Sequence, residues 1–230
     1  MIWSLNMKML LLSVFLALVT GVSAFRQLSS NSLDKGTGPL KFIPSGLRKQ
    51  HMYCNGLGQP SYSIINTNKT GNFELRQYDE SRWVTTHSEG IDYDKASRFN
   101  FMKLFNYIDG KNSKGEKVVM TCPVIVKITP GPGPACTSNF TMSFFVDPSA
   151  KEPPMPSTSD IYFTKIPAVR AYARTFGGYA DYKDYRNEGL ELMKAIGDPS
   201  LFNVDFYYTA GYDSPFKLLL RHNEVWFIAK

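Results

Sequence analysis

The chain reads YDKASRFNFMKLFNYI over residues 93–108 and YKDYRNEGLELMKAI over residues 182–196, and these two stretches decide the fold. In the first, Phe101, Leu104, Phe105 and Ile108 recur at helical spacing, Asp92 is placed to cap the start and Gly110 to stop the end. In the second, Tyr185, Leu192, Met193 and Ile196 share a face and Gly197 follows the last of them. Each stretch is predicted to be one amphipathic helix, with an apolar side that water will not tolerate uncovered.

What surrounds the helices is β-rich and doubled. Residues 73–78 and 82–87 read as strands on either side of the Asp79-Glu80-Ser81 turn. After the first helix, 118–129 is a long apolar strand interrupted by Pro123, which suggests an edge or a bulge. The Pro-Gly-Pro-Gly-Pro run at 130–134 turns the chain, and Phe140, Met142, Phe144 and Val146 alternate on the way back. A Pro-rich connection at 148–156 precedes the second round. There 161–166 and 169–176 read as strands before the second helix, and 205–209, 217–221 and 224–229 after it. At an offset of 88 residues Gly90 falls on Gly178, Leu104 on Leu192, Phe105 on Met193 and Ile108 on Ile196. Two such units bury their apolar faces by packing together. The expected fold is α+β: a pseudo-twofold repeat forming a distorted antiparallel β-barrel with two amphipathic helices. A cleft between helix and sheet is the natural ligand site.

Composition agrees with one globular domain, since 43% apolar and 20% charged residues exclude disorder, collagen and coiled coil. The net charge of +6 is spread along the chain, and no basic cluster is interleaved with stacking aromatics, so nucleic acid is not an expected partner. Lys8 precedes an apolar run over 9–19, and small residues end in Val22-Ser23-Ala24. Residues 1–24 therefore read as a cleaved signal peptide, 25–60 as a Gly- and Pro-rich arm, and 61–230 as the folded domain. No later stretch is long and apolar enough to span a bilayer, so a secreted, extracellular protein without membrane attachment is expected. The sequons at Asn68 and Asn139 agree with glycosylation in that compartment. Three cysteines allow one intramolecular bond: Cys122 with Cys136 is expected because they flank one hairpin, and Cys54 with either is the alternative. His51, Met52 and Cys54 amount to half a zinc site or an incidental cluster in the arm.

Five ordered motifs carry a resemblance. They are Glu74-x-Arg76-x-Tyr78, Met120-Thr121-x-Pro123-Val124, Phe176-Gly177-Gly178-Tyr179, Tyr208-Thr209-Ala210-Gly211-Tyr212-Asp213-x-Pro215 and Asn223-Glu224-Val225-Trp226. Over roughly residues 62–230 the chain resembles the SOUL haem-binding protein family, and its leader makes it similar to the secreted branch. The resemblance implies non-covalent binding of haem or another tetrapyrrole without catalysis. Carried over by position, it implies that Arg98 and Lys217 pair with the propionates while Phe101, with Met102 beside it, lies against the ring. Family members often have Met where Phe101 stands and a cation where Asn106 stands, and some carry a histidine where this chain has Gln77. No axial ligand is inherited, which leaves His87 as the nearest thing to a metal ligand; His51 and His222 are the other two histidines. Two rival functions follow from the same residues: a protein-interaction module built on surface aromatics, and a slow hydrolase of a small lipophilic compound. For the second, Cys122 is a possible nucleophile whose rival role is a half-cystine.

Overall fold

A computed structural model describes residues 52–54, 56–133, 136–214 and 216–230. The leader, most of the arm and His51 lie outside them. The strands are β1 (Tyr62–Asn68), β2 (Phe73–Tyr78), β3 (Ser81–Gly90), β4 (Val124–Thr129), β5 (Ser138–Phe145), β6 (Ile161–Ile166), β7 (Val169–Phe176), β8 (Tyr207–Gly211) and β9 (Asn223–Ile228). The helices are α1 (Tyr93–Ile108) and α2 (Tyr182–Ile196). Both start as the sequence predicts. The Asp92 carboxylate accepts from the Lys95 N–H, and Asp181 forms a capping box with Asp184 at α2. Gly197 closes α2 in the left-handed conformation, φ 80°, which a residue with a Cβ adopts only under strain.

All nine strands join one antiparallel sheet in the order β1-β2-β7-β9-β8-β4-β5-β3-β6, curled into a distorted half-barrel. The expected α+β repeat is present. β2, β3, α1, β4 and β5 correspond to β6, β7, α2, β8 and β9, and the central pair β4–β8 runs from Val124↔Gly211 to Ile128↔Tyr207. Each half lends its first strand to the other: β2 pairs with β7 and β6 with β3. That exchange ties the halves into one cooperative unit. β1, a strand that the sequence pattern did not single out at the start of the 61–230 domain, is added at one edge with a bulge between Ile64 and Asn66.

Because strand side chains alternate, each strand feeds two cores. On one face the helices cover Val84, Val126, Ile128, Phe140, Met142, Phe144, Val225 and Phe227, and contribute Leu104 and Leu192 with no exposed surface at all. On the opposite face Tyr78, Trp83, Ile125, Phe145, Ala171, Ala210, Tyr212 and Trp226 form a second cluster. Burying each large aliphatic contributes about 2 kcal/mol, so α1 is held chiefly by Leu104 and its neighbours. Two polar contacts fix its register: the Asn100 amide donates to the Phe140 carbonyl at 3.0 Å, and the Tyr107 hydroxyl to the Pro154 carbonyl at 2.7 Å.

Three expectations need correction. The disulfide joins Cys54 to Cys122, with Cα atoms 5.7 Å apart, and not Cys122 to Cys136, which is free and exposed. The pairing of Val124 with Phe144 and Thr129 with Asn139 puts the two expected partners at opposite ends of the β4–β5 hairpin, on the order of 30 Å apart. Residues 118–123 are irregular, and β4 begins only after Pro123, which has no N–H to offer a ladder. Residues 217–221 form no strand, because β8 already pairs with both β4 and β9 and leaves them no edge. Among the described residues no helix is long and apolar enough to cross a membrane.

Candidate functional site

The quoted motifs converge on the face opposite the helices. Period-two spacing turns Glu74, Arg76 and Tyr78 to one side of β2, and does the same for Glu224 and Trp226 on β9. Across the intervening β7, Arg76 meets Glu224 in a bidentate pair, Nη1 to Oε2 at 2.9 Å and Nη2 to Oε1 at 3.0 Å. Glu224 also accepts from the Tyr212 hydroxyl and Trp226 Nε1, each at 2.7 Å, and lies 2.8 Å from His222 Nε2. Arg76 is 2% exposed and Glu224 fully buried. Burial alone would raise the Glu224 carboxyl, but Arg76 and His222 outweigh it and hold the group well below the carboxylate range. The Tyr53 ring stacks on His222 at 3.8 Å, and the neighbouring Cys54 is pinned to Cys122. The resulting cluster is saturated with partners. It braces β2, β7, β8 and β9, and within it the Nε2 of His222 is engaged by Glu224.

The residues that sequence resemblance singles out lie elsewhere, on the helix side. Arg98, Phe101, Met102 and Phe105 occupy positions i, i+3, i+4 and i+7 of α1 and so form one stripe. Arg98 is exposed, Met102 is 48% exposed and Phe105 41%. Phe101 is half-buried: its ring stacks on Phe105 at 5.9 Å and meets Phe144 of the core at 5.5 Å. Phe105, which periodicity places in the core, therefore belongs to the outer stripe, with Phe99 exposed beside it.

Lys217 lies in the loop between β8 and β9, where its ammonium is 2.6 Å from the Asp213 carboxylate. Arg221 holds the same loop, donating to the Ser214 carbonyl at 2.6 Å and the Lys217 carbonyl at 2.9 Å. The loop is joined to the segment before α2 by the Tyr179 hydroxyl, which donates to the Lys217 carbonyl at 3.0 Å. The start of α1 reaches that region from the other side: the Tyr93 ring is 5.6 Å from that of Tyr182, and the Asp94 carboxylate faces the Tyr182 N–H. Arg98, whose charge acts on the Asp94 carboxylate, and Lys217 thus both lie toward the start of α2.

The space between α1 and the sheet, expected as a cleft, is occupied by Leu104, Tyr107, Ile108 and Phe144. A recess of about 160 Å³ opens near the other end of α1, floored by Val84, Tyr107, Ile108, Val118 and Phe144. It is smaller than the roughly 300 Å³ at which drug-sized ligands begin to be enclosed. His87 is exposed and shares its strand face with Trp83 and Thr85, which point away from the helices, so it does not serve the α1 stripe. Among the described residues, no group of three or more His, Cys, Asp or Glu is gathered as a metal site. Cys54 is tied up in the disulfide, which removes it from the half zinc site, and the same bond removes Cys122 as a nucleophile.

A family model described as SOUL heme-binding protein matches residues 57–228. The chain is 39% identical over 163 residues to Heme-binding protein 2 of Homo sapiens, covering 70% of this chain and 79% of that one. It is 32% identical over 157 residues to Heme-binding protein 1 of Xenopus laevis, covering 68% and 83%. Among solved structures the EcmrR C-terminal domain superposes with a TM-score of 0.52 at 14% identity, covering 69% of this chain and 96% of that chain, a likeness of fold.

Proposed function

The chain belongs to the SOUL heme-binding protein family, and from that premise we propose that it is a secreted, non-catalytic binder of haem or a related tetrapyrrole, using the outer stripe of α1. The observation that carries this reading is the stripe itself: apolar side chains left in water beside an arginine that makes no ion pair among the described residues. A tetrapyrrole has an apolar disc and carboxylates at one edge, and the stripe offers the complement of both. Phe101, Met102 and Phe105 would lie against the macrocycle, and Arg98 would pair with a propionate. Lys217 is the second rim cation, but it must first leave Asp213, so its contribution is the smaller. Bound haem supplies an iron centre, and these residues contribute ring contact and charge to holding it.

Secretion is supported by the leader-like 1–24 segment, the two sequons and the Cys54–Cys122 bond, which belongs to an oxidising compartment. A carrier role fits the relatives, whose names describe binding.

The test is a haemin titration followed in the Soret band. The parent protein gives a saturable change at equimolar haemin. Arg98→Ala loses on the order of 1 kcal/mol, about fivefold in Kd, and Lys217→Ala loses less. A linear, unsaturated response from the parent, or an Arg98→Ala curve that overlays it, would contradict the reading.

A further inference from the structure

The loop between β8 and β9 leaves Phe216 89%, Leu218 76%, Leu219 78% and Leu220 92% exposed. Exposure that high means these side chains touch almost nothing of their own chain, so they form a projecting tip and not the wall of a groove. The tip is held out by its surroundings. Arg221 donates to three of the loop's carbonyls and lies 4.3 Å over the Tyr179 ring, and Lys217 is fastened to Asp213. Leu220 sits at φ 51°, in the left-handed region that an aliphatic side chain adopts only at a cost in strain. Soluble proteins rarely leave so many large apolar side chains together in water, and such patches mark interaction surfaces.

We propose that residues 216–221 dock the protein on the interface of an anionic lipid bilayer, with Phe216, Leu218, Leu219 and Leu220 entering the acyl boundary. A bilayer closes around a convex apolar tip without a preformed complementary surface, which a protein partner would have to supply. Charge favours the same occupant: residues 212–222 hold Lys217 and Arg221 against a single carboxylate, Asp213, and the chain as a whole is basic at +6. Tyr179 and Tyr182, 56% and 38% exposed, stand beside the loop as the amphipathic rings that settle at headgroup depth. Attachment of this kind lies on the membrane and needs no spanning helix.

The experiment uses the protein as recovered from expressing eukaryotic cells, sedimented with phosphatidylcholine vesicles with and without phosphatidylserine. The parent partitions to vesicles, more strongly with phosphatidylserine; Leu219→Ser/Leu220→Ser partitions about tenfold less or weaker still. Phe216→Trp shifts its emission to the blue on vesicle addition. The same Leu variant keeps the parent's haemin titration, which separates this proposal from the haem reading. Vesicle binding that is absent, or unchanged by the Leu substitutions, overturns it, as does an unshifted Phe216→Trp spectrum. Loss of haemin binding in the Leu variant would instead assign the loop to the tetrapyrrole, and a parent dimer abolished by the substitutions would assign it to a second copy.

Discussion

Replacing Glu224 by glutamine keeps the side chain's shape and removes its charge, leaving the Arg76 guanidinium 2% exposed with only the partly exposed Glu74 carboxylate, 2.8 Å from its Nε, as counter-ion. The carboxylate's Oε2 faces Arg76, Tyr212 and Trp226, and its Oε1 faces Arg76 and His222. An amide has one acceptor oxygen, so either orientation of Glu224→Gln points an NH₂ at donors. Breaking a buried pair from one side costs about 3 to 5 kcal/mol, a large share of the 5–15 kcal/mol by which domains are stable. At roughly 2 to 4 °C per kcal/mol for a domain of this size, the melting temperature falls by about 6 to 20 °C. Thermal and urea unfolding followed by tryptophan fluorescence measures this, because Trp226 belongs to the cluster. The partner substitution Arg76→Met completes a cycle: the double variant buries no unpaired charge, so its cost undercuts the sum of the singles by about 2 kcal/mol or more. A Glu224→Gln cost under about 1 kcal/mol, typical of a surface pair, or strictly additive costs, would refute the cluster as a brace.

The same carboxylate sets a pH dependence. Its folded-state pKa lies below the ordinary 4.5, so its contribution is complete above that value and is lost as acidification proceeds. Unfolding free energy is therefore expected to fall below about pH 4.5 with a slope that Glu224→Gln flattens; equal slopes would contradict this. The disulfide closes a 68-residue separation, so Cys54→Ser is expected to cost about 4 kcal/mol in urea unfolding. Cys136→Ser should leave stability unchanged, and the reverse pattern would restore the hairpin pairing. Of the two sequons, Asn68 ends β1 at an exposed turn, whereas Asn139 lies within β5, flanked by β3 and β4. Glycosidase treatment is expected to shift the parent and to lose its effect in Asn68→Gln; loss only in Asn139→Gln would reverse the assignment.

The two helices and the doubling were legible because 3.6-residue periodicity, acidic caps and terminal glycines agree at 93–108 and 182–196. The strand exchange was not, since pairing β2 with β7 depends on contacts between residues about a hundred positions apart. Leu218, Leu219 and Leu220 read as a strand because a short apolar run looks the same whether it is buried or projecting. Phe105 shows the complementary error, a helical position that satisfies the core pattern yet sits one step outside it. Arg76 and Glu224 stood in the quoted motifs, but 148 residues of separation hid their pairing, and a lone charge in a strand reads as solvent-facing. Cysteine pairing failed for a related reason: sequence proximity across a hairpin says nothing about which ends the cysteines occupy. Arg98, Phe101 and Met102 were identified by family likeness, and the helix geometry adds Phe105 to them.

The most direct measurement is a chemical-shift map of the isotope-labelled protein titrated with diamagnetic zinc protoporphyrin. Binding along α1 predicts that the largest ring-current shifts fall on the amides of Arg98, Met102 and Phe105, with Ala171 and Ala210 on the opposite face unmoved. Shifts concentrated instead around Ala210, Tyr212 and Trp226 would place the macrocycle on the far side of the sheet and contradict the account.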